Sequence, residues 1–121
     1  MTMTKPKPKL TAHNIGRSGS DHNFMVEDDQ GRHIADFTIR RVNGAICFSC
    51  KLVIHYPGEG YYKHVHELKL QRARELGYVT MLASVASTNE AELRCIEKYW
   101  NRIGRVNGKD NPLLILAVCD L

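Results

Sequence analysis

The stretch from Tyr56 to Val85 joins a glycine-bearing turn, a helix pattern and an apolar strand pattern. Its turn, Pro57-Gly58-Glu59-Gly60, ends one strand pattern, and a helix pattern begins at once with Tyr61. The first amides of a helix have no intrahelical acceptor, and with the helix dipole they attract anionic oxygen. Glycines let the backbone approach such a ligand closely. This arrangement is typical of a phosphate site.

Three histidines lie in or beside this stretch. His55 ends the strand pattern before the turn, and because histidine titrates near neutrality it is a candidate general base. The alternative is a strand-end histidine that faces solvent. His64 and His66 are two residues apart on a helix, so they point about 200° apart and cannot face one ion. No metal is expected there.

Cys47 and Cys50 form a C-x-x-C pair, which raises the question of a zinc site. The pair falls within a strand pattern, where residues three apart point to opposite faces, so the two thiolates cannot share an ion. Cys95 and Cys119 do not form a second pair of this kind. Buried free thiols in a reducing compartment are therefore expected, and we predict no metal and a cytoplasmic location.

The length of 121 residues predicts one globular domain, with 43% hydrophobic and 25% charged residues. The longest apolar run, Leu113 to Cys119, is far shorter than the roughly 20 residues of a membrane span. The N-terminus lacks the apolar core of a signal peptide. Basic residues are scattered and accompany no docking motif, so neither a membrane nor a nucleic acid is an expected partner.

The N-terminal segment Lys5 to Lys9 reads KPKPK and accounts for part of the net charge of +4. Alternating prolines block helix and sheet pairing, so the segment predicts an extended arm. We assign residues 1–12 to a flexible basic arm and residues 13–121 to a single domain. The arm either docks on a protein partner, which includes a second copy of the chain, or remains a solvated tail.

Hydrophobic alternation and turn signals predict three antiparallel strands before the phosphate turn, after an irregular segment over residues 13–23. A helix from about Tyr61 to Leu76, stopped by Gly77, and a strand from Tyr78 to Val85 follow. The strand–helix–strand unit should be parallel, with a right-handed crossover. The fold class is thus α+β, with a mixed, mostly antiparallel sheet.

A second helix opens at Asn89, where Glu92 completes a capping box. Its predicted end is Gly104. One apolar stripe supports that length, and it consists of Leu93, Ile96, Trp100 and Ile103. A short strand at Arg105-Val106, a turn at Asn107-Gly108 and a terminal strand complete the chain.

From Phe24 to Gly104 this order of elements resembles the GNAT (GCN5-related N-acetyltransferase) superfamily. The segment ARELGYVTMLASVASTNEAELRCIEKYWNRIG is similar to the family's strand-and-helix block, and PGEGYY falls where the family has its acyl-CoA pyrophosphate loop. The resemblance implies an acetyl-CoA-dependent N-acetyltransferase in which a primary amine attacks the thioester directly. The acceptor would be a small molecule or a protein amine.

The resemblance also assigns site residues. It implies that acetyl-CoA pairs with the strand edge at Val53 and Ile54 and contacts Asn89. Tyr99 lies almost one turn beyond the family's position for the general acid, so it is either that acid or a packing residue at the edge of the helix face. His55 remains the candidate base. The pyrophosphate would lie on the loop, whose residues are Gly58, Glu59, Gly60, Tyr61 and Tyr62.

Several positions depart from the family pattern of Gln or Arg, two residues, Gly, one residue, then Gly or Ala. Reading from Pro57, Gly60 matches, whereas Glu59 adds negative charge and Tyr62 replaces a small residue. Ile96 occupies the usual position of the family's tyrosine, and the family's helices between its first two strands have no counterpart. The alternative is therefore a catalytically degenerate GNAT-like protein, an interaction or structural subunit whose arm docks on a partner.

Overall fold

The computed structural model describes residues 8–86, 89–107 and 113–121. Its strands form one sheet of seven, in the order β1-β2-β3-β4-β5-β7-β6, so the α+β prediction is confirmed. No helix in the described ranges is long and apolar enough to cross a membrane. In chain order the elements are β1 (Leu10–Ser18), β2 (Asp21–Asp28), β3 (His33–Arg41), β4 (Ile46–Ile54), α1 (Tyr62–Glu75), β5 (Thr80–Ala86), α2 (Glu90–Tyr99), β6 (Asn101–Asn107) and β7 (Leu113–Asp120).

Strand β1 corrects two expectations. Residues 13–23 were expected to be irregular, and the arm was expected to run to residue 12. Instead, Leu10 pairs with Asp28, and Ala12 pairs with Val26 and is buried. Turn-forming residues obscured the strand: a bulge between Asn14 and Gly16 interrupts its alternation, and an edge strand tolerates such a bulge. Of the arm itself, residues 1–7 lie outside the described residues.

Strands β4 and β5 are parallel neighbours, as predicted, but over a short distance only. Ile46, Cys47 and Phe48 are aligned with the first three residues of β5. Beyond them β4 continues beside β3, whereas β5 continues beside β7. The two parallel strands therefore diverge, and an opening forms in the middle of the sheet.

Both helices lie on one face of the sheet. The crossovers from β4 to β5 and from β5 to β6 move in the same direction along the sheet, and right-handed crossovers then place both helices on the same side. A hydrogen bond between His66 of α1 and Trp100, the residue after α2, agrees with this placement. No described helix covers the other face.

Helix α1 is attached to the sheet by polar contacts as well as by apolar packing. Gly77, at φ +93°, follows the helix and allows the turn into β5. Lys69 and Arg72 lie among the apolar residues of this helix, and both reach the sheet. The Lys69 ammonium donates to Ser49 Oγ (2.7 Å), and Arg72 donates to the carbonyl of Ala12 in β1 (3.1 Å).

Helix α2 is shorter than predicted. It ends at Tyr99, and Trp100 is extended at φ −122° and ψ 150°, so the predicted end at Gly104 is wrong. The stripe does not continue as a helix because residues 101–107 form β6, which pairs with β7. Trp100 stays buried and donates from Nε1 to His66 Nε2 (2.8 Å). The short strand predicted at Arg105-Val106 is confirmed within β6.

Candidate functional site

The opening between β4 and β5 exposes a strand edge to any extended ligand. On its other side β4 is paired: the His55 amide donates to the carbonyl of Ile34 in β3 (2.8 Å). Because neighbouring amides of a strand point to opposite sides, the Ile54 amide points into the opening. Val53 is two residues from His55, so its backbone groups face β3 as the His55 amide does. Of the two predicted edge residues, Ile54 is the one whose backbone can pair with a ligand.

The predicted phosphate loop lies at the end of β4, next to this opening. Gly58 and Gly60 have φ of +82° and +79°, which residues with a side chain rarely adopt, and a Cβ atom at either would meet no atom within 4 Å. Helix α1 begins two residues after Gly60, and no side chain caps its N-terminus at Tyr61. Its first turn carries no acidic residue, and Glu59 is exposed. An anion can therefore approach these amides.

Arg32 is a cation beside the loop that sequence reasoning missed. Its Nη2 donates to the Tyr61 hydroxyl (2.8 Å), and its guanidinium lies over the Tyr56 ring, 4.4 Å from the centroid. Tyr56 precedes the four-residue turn and Tyr61 follows it. Because Arg32 contacts both tyrosines, its guanidinium lies alongside the turn. Asp28 accepts from Arg32 Nε (3.2 Å) and orients it. The sequence signal was weak because Arg32 follows the distant β2–β3 turn.

His55, the predicted base, is held by a second element that the sequence did not indicate. Its Nε2 lies 2.6 Å from Asp36 Oδ2, and His33 Nε2 lies 2.9 Å from Asp36 Oδ1. The two imidazole rings are 4.5 Å apart, edge to face. Partial burial tends to raise the pKa of Asp36, but the hydrogen bonds from His55 and His33 outweigh it and keep that pKa below its usual value.

The remaining predicted site residues lie around helices α1 and α2. Asn89 caps α2: its Oδ1 accepts from the Glu92 amide (3.3 Å), so the N-cap is confirmed. The Glu92 carboxylate accepts from the Asn89 side-chain Nδ2 (3.2 Å), whereas a capping box has that bond from the backbone amide of the cap residue. Tyr62 is the first residue of α1 and is half-buried. Tyr99 is the last residue of α2, and its side chain lies outside the described part of the structure.

A buried polar group lies on the helix side of β4. Lys69, which is fully buried, donates to Ser49 and lies 5.9 Å from the centroid of the Trp100 ring. Burial, and then the charge of Lys69, lowers the pKa of nearby His66 to about 3, so this imidazole is neutral near pH 7. Burial raises the pKa of the Cys47 thiol to about 11, which agrees with the expected buried, unreactive thiol.

Comparisons with known proteins identify the fold. A scan against protein-family models found no match, and a sequence search of curated proteins found none. Solved structures do match. A GNAT family acetyltransferase from Elizabethkingia anophelis with acetyl-CoA bound is 8% identical over 97% of this chain and 100% of that chain, with a TM-score of 0.74.

A spermidine N-acetyltransferase from Vibrio cholerae, in complex with CoA and spermine, is 17% identical with a TM-score of 0.73. The match covers 84% of this chain and 66% of that one. A dodecameric structure of the Vibrio protein matches with a TM-score of 0.71. Identities this low establish the fold alone. The chain has the fold of the GNAT acetyltransferases, which confirms the predicted resemblance at that level.

Proposed function

We propose that this protein is an acyl-CoA-dependent N-acetyltransferase that transfers an acetyl group to a primary amine. One observation carries the proposal: the unpaired edge of β4 runs directly into a glycine loop and the uncapped start of α1. A thioester cofactor with an amide-bearing arm and a pyrophosphate needs both features side by side. The acetyl-CoA bound to a protein of the same fold supports this assignment.

Cofactor binding in this proposal uses backbone groups more than side chains. The arm pairs with the β4 edge at Ile54 as an added strand does, and it extends toward the point where β4 and β5 meet, about 20 Å away for six residues. The pyrophosphate lies on the amides from Gly58 to Tyr62. Arg32 supplies the positive charge that Pro57 cannot, and Tyr61 holds it near the phosphates.

Catalysis in this proposal begins with His55. In the tautomer proposed, His55 Nε2–H donates a hydrogen bond to Asp36, and the Nδ1 lone pair of His55 takes a proton from the acceptor amine. The amine nitrogen attacks the thioester carbonyl carbon, the carbon–sulfur bond breaks, and the departing thiolate takes a proton, for which Tyr99 is the proposed donor. His55 lies at the loop end of the opening, whereas the arm carries the thioester toward the point where β4 and β5 meet. This role of His55 therefore requires the proton to pass from the amine to His55 through water along the opening.

We propose a small or protein-borne primary amine as acceptor, in a cytoplasmic setting. A spermidine N-acetyltransferase that binds spermine has the same fold, which supports an amine of the small-molecule type. The free thiols described, at Cys47, Cys50 and Cys119, are consistent with a reducing compartment. The dodecameric relative makes self-association the first partner to test.

The test is thermal unfolding with and without acetyl-CoA. At one hundred times its dissociation constant, a ligand that binds the folded chain adds about 2.7 kcal/mol of stability, and Tm rises. R32Q should weaken this shift, whereas R17Q, which changes an exposed arginine bonded to Gly19, should leave it intact. An unchanged Tm at millimolar acetyl-CoA would remove the proposal.

A second candidate function, a non-catalytic interaction subunit, is favoured by the loop sequence. Tyr62 is half-buried where the family has a small residue, and Glu59 adds negative charge. Y62G separates the two functions: if this variant binds acetyl-CoA and the native chain does not, the native ring blocks the site. Deletion of residues 1–9 then tests the arm, since an interaction subunit should lose its partner or its self-association.

A further inference from the structure

One cluster of side chains outside the proposed cofactor site has the composition of a metal centre. His33, Asp36 and His55 offer two imidazole nitrogens and a carboxylate, and their ligand atoms lie within 4.8 Å of one another. It is the one group of three such ligands found among the described residues. Histidine and aspartate in this ratio bind first-row transition metal ions in many proteins.

We propose that His33, Asp36 and His55 form a binding site for a divalent transition metal ion of the zinc type. Both imidazoles present Nε2 to the same carboxylate, at 2.9 and 2.6 Å. Two ligands of a tetrahedral zinc ion are about 3.3 Å apart, since each bond is about 2.0–2.2 Å. An ion between the three groups therefore requires each imidazole to move away from the carboxylate by less than 1 Å, while the two imidazole nitrogens, within 4.8 Å of each other, take up the same spacing. Rotation of the exposed histidine side chains provides both movements.

The position of the cluster leaves a path for the ion. The side chains of His33 and His55 are 50% and 39% exposed, and no described helix covers this face of the sheet. The ligand-bearing elements are firm, because Asp36 lies inside β3 and the backbone of His55 is bonded to Ile34. A preformed, accessible set of three ligands leaves the fourth position to water.

The ligand types decide which ions fit. Calcium and magnesium take six or more oxygen ligands, and Asp36 is the sole oxygen donor of this cluster. Imidazole suits zinc, cobalt, nickel and copper. The proposal therefore predicts binding of Zn²⁺ and Co²⁺ and no binding of Mg²⁺ or Ca²⁺ at the same concentrations.

A bound ion would also affect the proposed reaction, and this consequence rests on the proposed function. The ion takes the Nε2 lone pair of His55, so the imidazole proton moves to Nδ1 and that atom can no longer accept a proton from an amine. Metal binding would then inhibit acetyl transfer. The binding itself does not depend on any activity of the protein.

Titration of the full-length chain with Zn²⁺ by calorimetry, and with Co²⁺ by visible absorption, tests the site. We expect one ion per chain and the absorption bands of a cobalt ion with nitrogen and oxygen ligands. H33Q and H55Q should each weaken Zn²⁺ binding more than the roughly 10–100-fold that the loss of an outer-shell partner costs. H13Q is the matched control. His13 also pairs with a carboxylate, that of Glu27 (2.8 Å), but it does not belong to the three-ligand cluster.

The outcomes separate the site from adventitious binding. Full affinity in both H33Q and H55Q, or an equal loss in H13Q, would overturn the proposal, as would an absence of Zn²⁺ binding by the native chain. If either variant fails to fold, D36N gives the same test at the carboxylate. H33Q also distinguishes the two proposals: it should lose the metal yet retain the Asp36–His55 pair, so acetyl-CoA should still raise its Tm.

Discussion

The two faces of the sheet differ most clearly in two adjacent rows of paired residues. In one row Phe24 aligns with Phe37, and Phe37 with Leu52; the two phenyl rings stack with centroids 4.9 Å apart, and Phe37 is 1% exposed. One residue along, Met25 aligns with Asp36, and Asp36 with Val53, which is 38% exposed. The rows share the same three strands, and they differ in which face they belong to.

This difference shows how one sheet separates stability from chemistry. Aligned residues share a face, so a shift of one position moves a row from the helix-covered core to the open face. Helix α1 covers the phenylalanine row and removes it from water. The open row instead carries Asp36, whose carboxylate organises two histidines from different parts of the sheet.

The largest expected effect comes from removing a side chain of the covered row. F37A should lower the free energy of unfolding by about 3–5 kcal/mol, because it deletes a buried ring that its neighbours cannot replace. V53A, on the open row, should cost about 1 kcal/mol or less. Urea unfolding measures both. A V53A loss as large as that of F37A would indicate that a second copy of the chain covers the open face.

Between pH 6.5 and 4.5, acid should destabilise the chain mainly through histidines on the helix-covered face of the sheet. The pKa of His66 is about 3 in the folded chain and 6.5 in the unfolded chain, so between these values the unfolded state binds more protons and stability falls as pH falls. His66 alone should account for a loss of about 2 kcal/mol from pH 6.5 to 4.5. His22, whose pKa burial also lowers, acts in the same direction.

The measurement is the free energy of unfolding of H66Q across this pH range. The variant should lose the part of the pH dependence that His66 contributes, whereas H13Q, on the open face, should keep that part. Equal slopes in the native chain and H66Q would mean that His66 is protonated in the folded state, contrary to its burial.

A smaller effect is expected at the loop that joins β4 to α1. G60A should destabilise the chain by about 1–2 kcal/mol, because alanine is strained at a φ of +79°. G44A is the matched control: Gly44 has no positive φ and no atom within 4 Å of an added Cβ, so its loss should be smaller. Thermal melts of G60A and G44A measure the two stability losses. Equal losses would contradict the positive φ of Gly60.

The smallest expected effect concerns Asn89. It tests whether this residue only caps α2 or also contacts acetyl-CoA. N89A should lose about 1 kcal/mol, because the Glu92 amide loses its cap, and N89D should retain most of that stability. If Asn89 also contacts acetyl-CoA, N89A should reduce the cofactor-induced Tm shift beyond this stability loss. Thermal melts of the native chain and of N89A, each with and without acetyl-CoA, separate the loss of stability from a loss of cofactor binding.

Much of the architecture could be predicted from local patterns. Alternation marked β3 and β4, and Gly77 marked the end of α1, because these signals act over a few residues and tertiary contacts reinforce them. The end of α2 was misplaced because Trp100 and Ile103 fit a helical stripe equally well. Pairing of residues 101–107 with β7 decided between helix and strand. That pairing involves residues distant in the chain.

The sequence by itself determined the order of the elements after residue 23, the glycines of the loop and the N-cap of α2, since turn, period and cap preferences are local. The tertiary structure decided which side chains meet. Arg32 reaches the loop, and Asp36 joins His33 to His55, only because β3 and β4 align in one register. Such alignment comes from burying one face of each strand, a requirement that the whole sheet satisfies together.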